Sequence, residues 1–198
     1  MTRTGPRMAA TERRAHLLET AARLFTEGSY RGTTTAEIAR AAGVSEPILY
    51  RHFASKRDLY LAALEHVAAK TREAWKRTLG HAPDACSAVE AIGRGHVSVR
   101  SPKLQLAELW VQALGEAQED QQVRRHLCRH LREVHDFVAE LVRRGQEEGT
   151  IPPELDADAE AWIMLAGGIL GLVGRRVGLL DDRELEAIRA ARLARLRG

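Results

Sequence analysis

Cysteine is almost missing from this sequence. The two present, Cys86 and Cys128, stand alone, with no CxxC and no paired spacing. That excludes a disulfide-stapled secreted domain and points to a reducing compartment. Long apolar runs are missing too. The longest charge-free stretch, AWIMLAGGILGLVG, covers 161–174, fourteen residues, against roughly 18 needed to cross a bilayer. The opening MTRTGPRMAA has no apolar core of the kind that marks a signal peptide. The expectation is a soluble, cytoplasmic protein with no membrane partner. No HExxH, glycine-rich phosphate loop or ordered Ser/His/Asp set occurs, so no enzyme and no cofactor is expected.

Sustained strand alternation is also absent, and helical periodicity fills the chain instead. The 198 residues, 44% of them apolar, are enough to bury a real core. Charge is unevenly placed. The net charge is only +3, yet residues 1–57 hold ten Lys/Arg against five Asp/Glu, while the remainder holds 20 against 22. The basic excess belongs to the N-terminal end and suggests a polyanion partner there.

Thr11 is placed to cap a first helix whose stripe is Leu17, Ala21, Leu24 and Phe25, with Gly28 ending it. Thr34 and Glu37 have the spacing of a capping box. Gly43 permits a turn with positive φ, and Ser45 caps a short segment, EPILYRHF. Pro47 falls in its first turn, where a missing N–H costs little. Ser55 opens a long fourth helix, and the segment 80–87 reads as a break. Helical blocks follow at 84–100, 103–118 and 120–148. The last carries the stripe Val123, Leu127, Leu131, Val134, Val138 and Leu141. Residues 157–178 and 182–197 close an all-α chain.

Residues 34–53 therefore read as two short helices joined at Gly43, a helix-turn-helix whose second member enters a DNA major groove. At about 100° per residue, Leu49 and Phe53 face inward and Pro47 and Arg51 face out, flanked by Ile48 and Tyr50. Arg51 can bond guanine bidentately and Ile48 can pack on a thymine methyl. Tyr50, His52, Thr34, Thr35 and Lys56 suit phosphate oxygens.

The same stretch, TTTAEIARAAGVSEPILYRHFASKRDLYLAAL, resembles the DNA-binding core of the TetR (tetracycline-repressor-like) family of bacterial regulators. The likeness runs over residues 12–65, through Leu24-Phe25, Gly28, Ile38-Ala39, Ala42-Gly43-Val44-Ser45, Leu49-Tyr50, His52-Phe53 and Lys56. It implies DNA contacts at Thr34, Thr35, Ser45, Glu46, Pro47, Ile48, Tyr50, Arg51, His52 and Lys56. Two positions depart from the common pattern. Pro47 stands where many members have a small residue, and Glu46 puts an acid at the groove-facing start, where it can accept from cytosine or repel phosphate.

The implied organisation is a flexible basic arm at 1–10, a DNA-binding domain at 11–57, and a helical effector-binding and dimerisation domain at 58–198. The arm, with Arg3 and Arg7 followed by Arg13 and Arg14, reads as a solvated tail rather than a groove contact. The resemblance further implies a homodimer joined through the last two helices, a pseudo-palindromic operator, and repression relieved by a small-molecule effector. The apolar stretch 161–174 is expected to be buried on more than one side, with Gly167, Gly168, Gly171 and Gly174 admitting a close helix. Trp75, His96, Trp110, His135 and Trp162 are candidates for lining an effector pocket, although a tryptophan is more often core or interface. Effector binding is expected to shift the body toward a state in which the fourth helix swings the reading heads off register.

His126 and His130, four apart with Glu133 and Cys128 nearby, form a feasible metal pair. Cys128 projects away from His126, however, and the segment is strongly basic. The pair reads as surface histidines flanking a core stripe, and no metal is expected.

Overall fold

The structure, a computed structural model, describes residues 10–94 and 102–198. Among the described residues the helices are α1 Ala10–Glu27, α2 Thr35–Ala41, α3 Glu46–His52, α4 Lys56–His81, α5 Ala85–Arg94, α6 Pro102–Glu116, α7 Gln121–Glu147, α8 Ala157–Arg176 and α9 Asp182–Arg197. No strand occurs among them. The arm expected at 1–10 lies outside the described residues, except that Ala10 already belongs to α1. Thr11 consequently sits inside α1 rather than capping it.

Gly28 does end α1, but not through a left-handed backbone, since its φ is not positive. A Cβ there would stand 2.9 Å from Thr33 Oγ1 and 3.3 Å from the Leu24 carbonyl oxygen, so close packing is what favours glycine. Gly43 is different. With φ 68° it follows the C-cap of α2, its N–H bonds the Arg40 carbonyl, and the Val44 N–H reaches back to Ala39. This Schellman motif satisfies two otherwise orphaned carbonyls and turns the chain sharply into α3. The Thr34–Glu37 capping box and the Ser55 cap of α4 both form.

Two cores organise the helices. The first joins Leu17, Phe25, Ile38, Leu49, Leu59 and Tyr60 of α1–α4 to Leu109, Ala113, Val123 and Leu127 of α6 and α7. Phe25 meets Tyr60 edge to face at 5.0 Å between centroids, the arrangement ring quadrupoles favour. The second core lies in the body and gathers Trp75, Val89, Ile92, Val138, Val142, Ile151, Ala161 and Leu196. The N-terminal head is therefore seated on the body through α6 and α7.

The α8 helix departs most from expectation. Ala157, Glu160, Ala161 and Met164 are buried, but Trp162, Ile163, Ile169, Leu170 and Val173 are exposed, as are Val177 and Leu179 just beyond its end. One chain thus covers only one side of the 161–174 run. Gly171 and Gly174 admit α9 and its approach, with a Cβ at Gly174 falling 2.7 Å from Leu180 Cδ1, whereas Gly167 and Gly168 face open space. The whole of α8 is long and apolar enough to cross a membrane, although the charge-free run within it is too short. Its first turn is nonetheless fixed inside the protein by the Asp156 cap and by the buried Glu160, whose Oε1 accepts from Arg195 Nε at 3.0 Å.

Candidate nucleic-acid interface and body cavity

The α3 helix is held by Leu49, fully buried, and by Phe53 at its C-cap, over which the Arg14 guanidinium lies 5.2 Å from the ring centroid. Truncating a side chain buried like Leu49 to alanine typically costs about 2–5 kcal/mol, so the outward face is presented on a firm base. That face carries Pro47, Tyr50 and Arg51 exposed, with Ile48 and His52 half-buried on its flanks. Arg51 makes no ion pair among the described residues, which leaves its five donors available to a ligand.

Ser45 occupies the N-cap position, but its side chain makes no capping bond. Pro47 has no N–H to offer, and the Ile48 N–H is taken by the Ser45 carbonyl at 2.9 Å. Ser45 is therefore exposed with its hydroxyl uncommitted to the helix amides, as a phosphate contact requires.

Thr35 corrects the sequence reading. It is buried, and its hydroxyl donates to Glu46 Oε1 at 2.5 Å rather than facing outward. With that proton committed, the Tyr50 hydroxyl 3.2 Å away is the donor to Thr35 Oγ1. One buried hydroxyl so orients both the acid and the tyrosine of α3. Thr34 remains exposed, its hydroxyl and amide both bonded to Glu37 Oε2. Lys56 Nζ sits 4.7 Å from the Tyr30 ring centroid and donates to the Arg31 carbonyl at 3.4 Å. Partial burial holds its pKa below the ordinary lysine value, against the pull of Glu116 and Glu37.

The head is tied to the end of α6 and the start of α7. Arg57 pairs with Asp120 at 2.8 Å, Arg31 with both Glu116 and Glu119, and Gln112 Nε2 donates to the Thr26 carbonyl at 3.1 Å.

Farther along the same helices the body encloses a cavity of about 330 Å³, lined from α4 to α9, at the small end of the roughly 300–1,000 Å³ usual for small-molecule sites. Trp75 and Trp110 both line it, and His130 stacks on Trp110 with ring centroids 4.2 Å apart. His135 and Trp162 do not contribute. They pack on each other at 4.4 Å outside the lining, with His135 Nε2 3.2 Å from the Asp158 carbonyl oxygen and the Arg132 guanidinium 5.3 Å from the Trp162 ring centroid. His96 lies outside the described residues. A shallower depression, bordered by Arg77, His81 and Pro83, is open to solvent.

His126 and His130 are buried, not surface flanks. His126 shares a 2.9 Å contact with Arg129, and burial pushes the His130 pKa down to about 4, so it is neutral near pH 7. Sequence reasoning missed His130 and Arg192 as cavity residues, yet both carry a signal. His130 is three residues from Leu127 and four from Val134, and Arg192 is four from both Ile188 and Leu196, on the apolar stripes of their helices.

Residues 17–63 match the profile described as bacterial regulatory proteins, tetR family, and residues 87–197 match that of the BetI-type transcriptional repressor C-terminal domain. Among characterised relatives, the transcriptional activator FasR of Mycolicibacterium smegmatis is 40% identical over 93 residues, 45% of this chain and 42% of FasR. The match thus spans less than half of that relative's length. The regulator ArpR of Pseudomonas putida is 27% identical across 89% of this chain and 85% of its own. A TetR-family regulator from Rhodococcus sp. superposes with a TM-score of 0.82 at 21% identity, covering 95% of this chain and all of its own, a likeness of fold. With an exposed reading helix at one end and a matching C-terminal profile at the other, the chain belongs to the TetR family of bacterial regulatory proteins.

Proposed function

We propose that this protein is a cytoplasmic, sequence-specific DNA-binding regulator rather than an enzyme, which represses from a pseudo-palindromic operator and is released by a small-molecule effector. The observation that carries this reading is α3, which turns Pro47, Tyr50 and Arg51 outward over a fully buried Leu49. Such a helix seated at a groove would place Arg51 and Ile48 at base edges. Ser45, Thr34, Tyr50, His52 and Lys56 would lie toward phosphates. The Arg51 contact reads sequence and the Lys56 contact supplies affinity. No cofactor is required for either.

The chain divides in this reading into an arm (1–10), a head (11–57) and a body (58–198). Homodimerisation occurs through α8 and α9, where the exposed Ile163, Leu170 and Val173 need a second apolar surface. The effector occupies the body cavity. Trp75 on α4 and Trp110 on α6 line it, and α6 ends at Glu116, beside Arg31 of the head. A ligand that favours one placement of α4 and α6 therefore biases the head, and the coupling is reciprocal.

Selection of binding sites from random duplexes, with wild type and Arg51→Ala, tests the reading. An enriched inverted repeat that relaxes in the variant supports it. Strongly salt-dependent binding with no sequence preference would replace it with a non-specific architectural role.

A further inference from the structure

We propose that the body cavity binds a small amphipathic monoanion, a carboxylate on an apolar body, with Arg192 of α9 as its charge anchor. The inference rests on reading the cavity as the effector site and adds the chemical class of the effector.

Arg192 lines the cavity, and its Nε and Nη2 are buried with no hydrogen-bond partner. Burial works against its charge and lowers its pKa. A guanidinium is not given up to neutrality under ordinary conditions, so one with two buried, unpartnered nitrogens calls for an anion. The neighbouring charges do not supply it. Arg189 pairs with Glu186 at 2.9 Å, Arg175 with Asp182 at 2.5 Å, and Arg197 with Glu90 at 2.7 Å. Glu160 is buried and near enough to favour the Arg192 charge, but its Oε1 is engaged by Arg195 at 3.0 Å and its Oε2 makes no hydrogen bond, to Arg192 or to any other group. The one buried carboxylate is thus hydrogen-bonded to Arg195, and Arg192 keeps two unpartnered nitrogens at the cavity wall.

Two further orphaned atoms belong to residues of the same lining: Trp110 Nε1, a donor, and His130 Nδ1, which donates or accepts according to tautomer. His130 is neutral near pH 7 and adds no second charge. Most of the remaining lining is apolar, including Ile92, Leu131, Met164 and Leu165. One unmatched cation with a few polar partners at an otherwise apolar wall suits a ligand with one negative head and a short hydrocarbon body. A single charge favours a carboxylate over a phosphate dianion, and the guanidinium fork fits the carboxylate bidentately. A cationic ligand would meet Arg192 repulsively, and the two carboxylates on the lining, Glu90 and Glu186, are already paired with Arg197 and Arg189.

Three probes that share one chain and differ in the head decide the matter: decanoate, decanol and decyltrimethylammonium. Each is titrated into the full chain below its micelle concentration, followed by tryptophan fluorescence and calorimetry, with wild type, Arg192→Gln and Arg192→Lys. Decanoate is expected to bind at least tenfold more tightly than the other two. Arg192→Gln should lose at least tenfold for decanoate while decanol is unmoved. Arg192→Lys should fall between, and circular dichroism should show all three proteins equally helical. If Arg192→Gln fails to fold, the probe ranking on wild type and the Arg192→Lys loss carry the test. Equal binding of decanol, tighter binding of the ammonium, or undiminished decanoate binding in a folded variant overturns the anchor and leaves the cavity reading standing. Failure of all three probes to bind overturns both.

Discussion

The Thr35 hydroxyl donates a 2.5 Å hydrogen bond to Glu46 Oε1, tying the start of α2 to the start of α3. Through it the one acid of the reading helix is drawn inward, away from the face that a phosphate backbone would approach. Thr35→Val keeps the shape and removes the donor. Because the acceptor is charged but half-exposed, the expected stability loss is about 1.5 kcal/mol, the low end for such bonds. DNA affinity should also fall, because the released carboxylate can turn toward phosphate. Glu46→Gln should do the opposite, binding all duplexes more tightly. Thermal melts paired with fluorescence anisotropy on the selected site would show both effects. An unchanged melt and affinity for Thr35→Val would mean the bond has no such role.

Arg51 and Lys56 should separate specificity from affinity. Arg51→Ala is expected to cost about 1–3 kcal/mol on the selected site and to relax preference at one base pair per half-site. Lys56→Ala should weaken every duplex alike and flatten the salt dependence by about one unit of slope per chain. Anisotropy titrations at several salt concentrations, on matched and mismatched duplexes, distinguish the two. Identical behaviour of the variants would show that Arg51 is merely another phosphate contact.

Why the two short helices and their turn were legible in the sequence, and other features were not, has a physical basis. Local signals fix local structure: the Thr34 capping box, Gly43 with its positive φ, and the Leu49–Phe53 pair all act within a few residues, so both short helices and their turn could be read directly. The Ser45 cap failed because Pro47 removed an amide the rule assumes. Thr35 failed because its partner, Glu46, lies in the next helix and only the turn brings them together. In the body, the cavity residues come from six helices, and no local rule reports which stripes converge. His130 sat on such a stripe but was read as a surface flank, and Arg192 drew no attention because its charge suggests solvent. The 161–174 run was read as buried because its composition is apolar, and composition alone cannot say which molecule does the burying.

The exposed side of α8 makes the next test. Leu170 and Val173 are one helical turn apart and both exposed. Leu170→Glu with Val173→Glu introduces two charges into the proposed two-fold interface, where like charges from both copies meet. Light scattering should report a monomer where wild type is a dimer, with helicity preserved. Affinity for a full inverted repeat should collapse toward that of one half-site. A wild type that is already monomeric at working concentration would remove the interface altogether.

Acid should destabilise the protein through its buried histidines. Burial, reinforced by Arg72, lowers the His130 pKa from 6.5 to about 4, and burial also lowers His126 and His66. Above pH 6.5 His130 is neutral both folded and unfolded, so it contributes no pH dependence. Below that value the unfolded chain takes up a proton that the folded chain refuses until about pH 4, and stability falls with pH throughout the interval. At pH 5 the loss from His130 alone is about 2 kcal/mol. Glu19, Glu37 and Glu148, whose hydrogen bonds hold their pKa values below the usual carboxylate range, add their own losses only at lower pH. Urea denaturation between pH 7.5 and 4.5 should therefore show a falling midpoint that is visibly flatter in His130→Gln. Parallel curves for the two proteins would assign the acid sensitivity to other groups and place the His130 ring in contact with water.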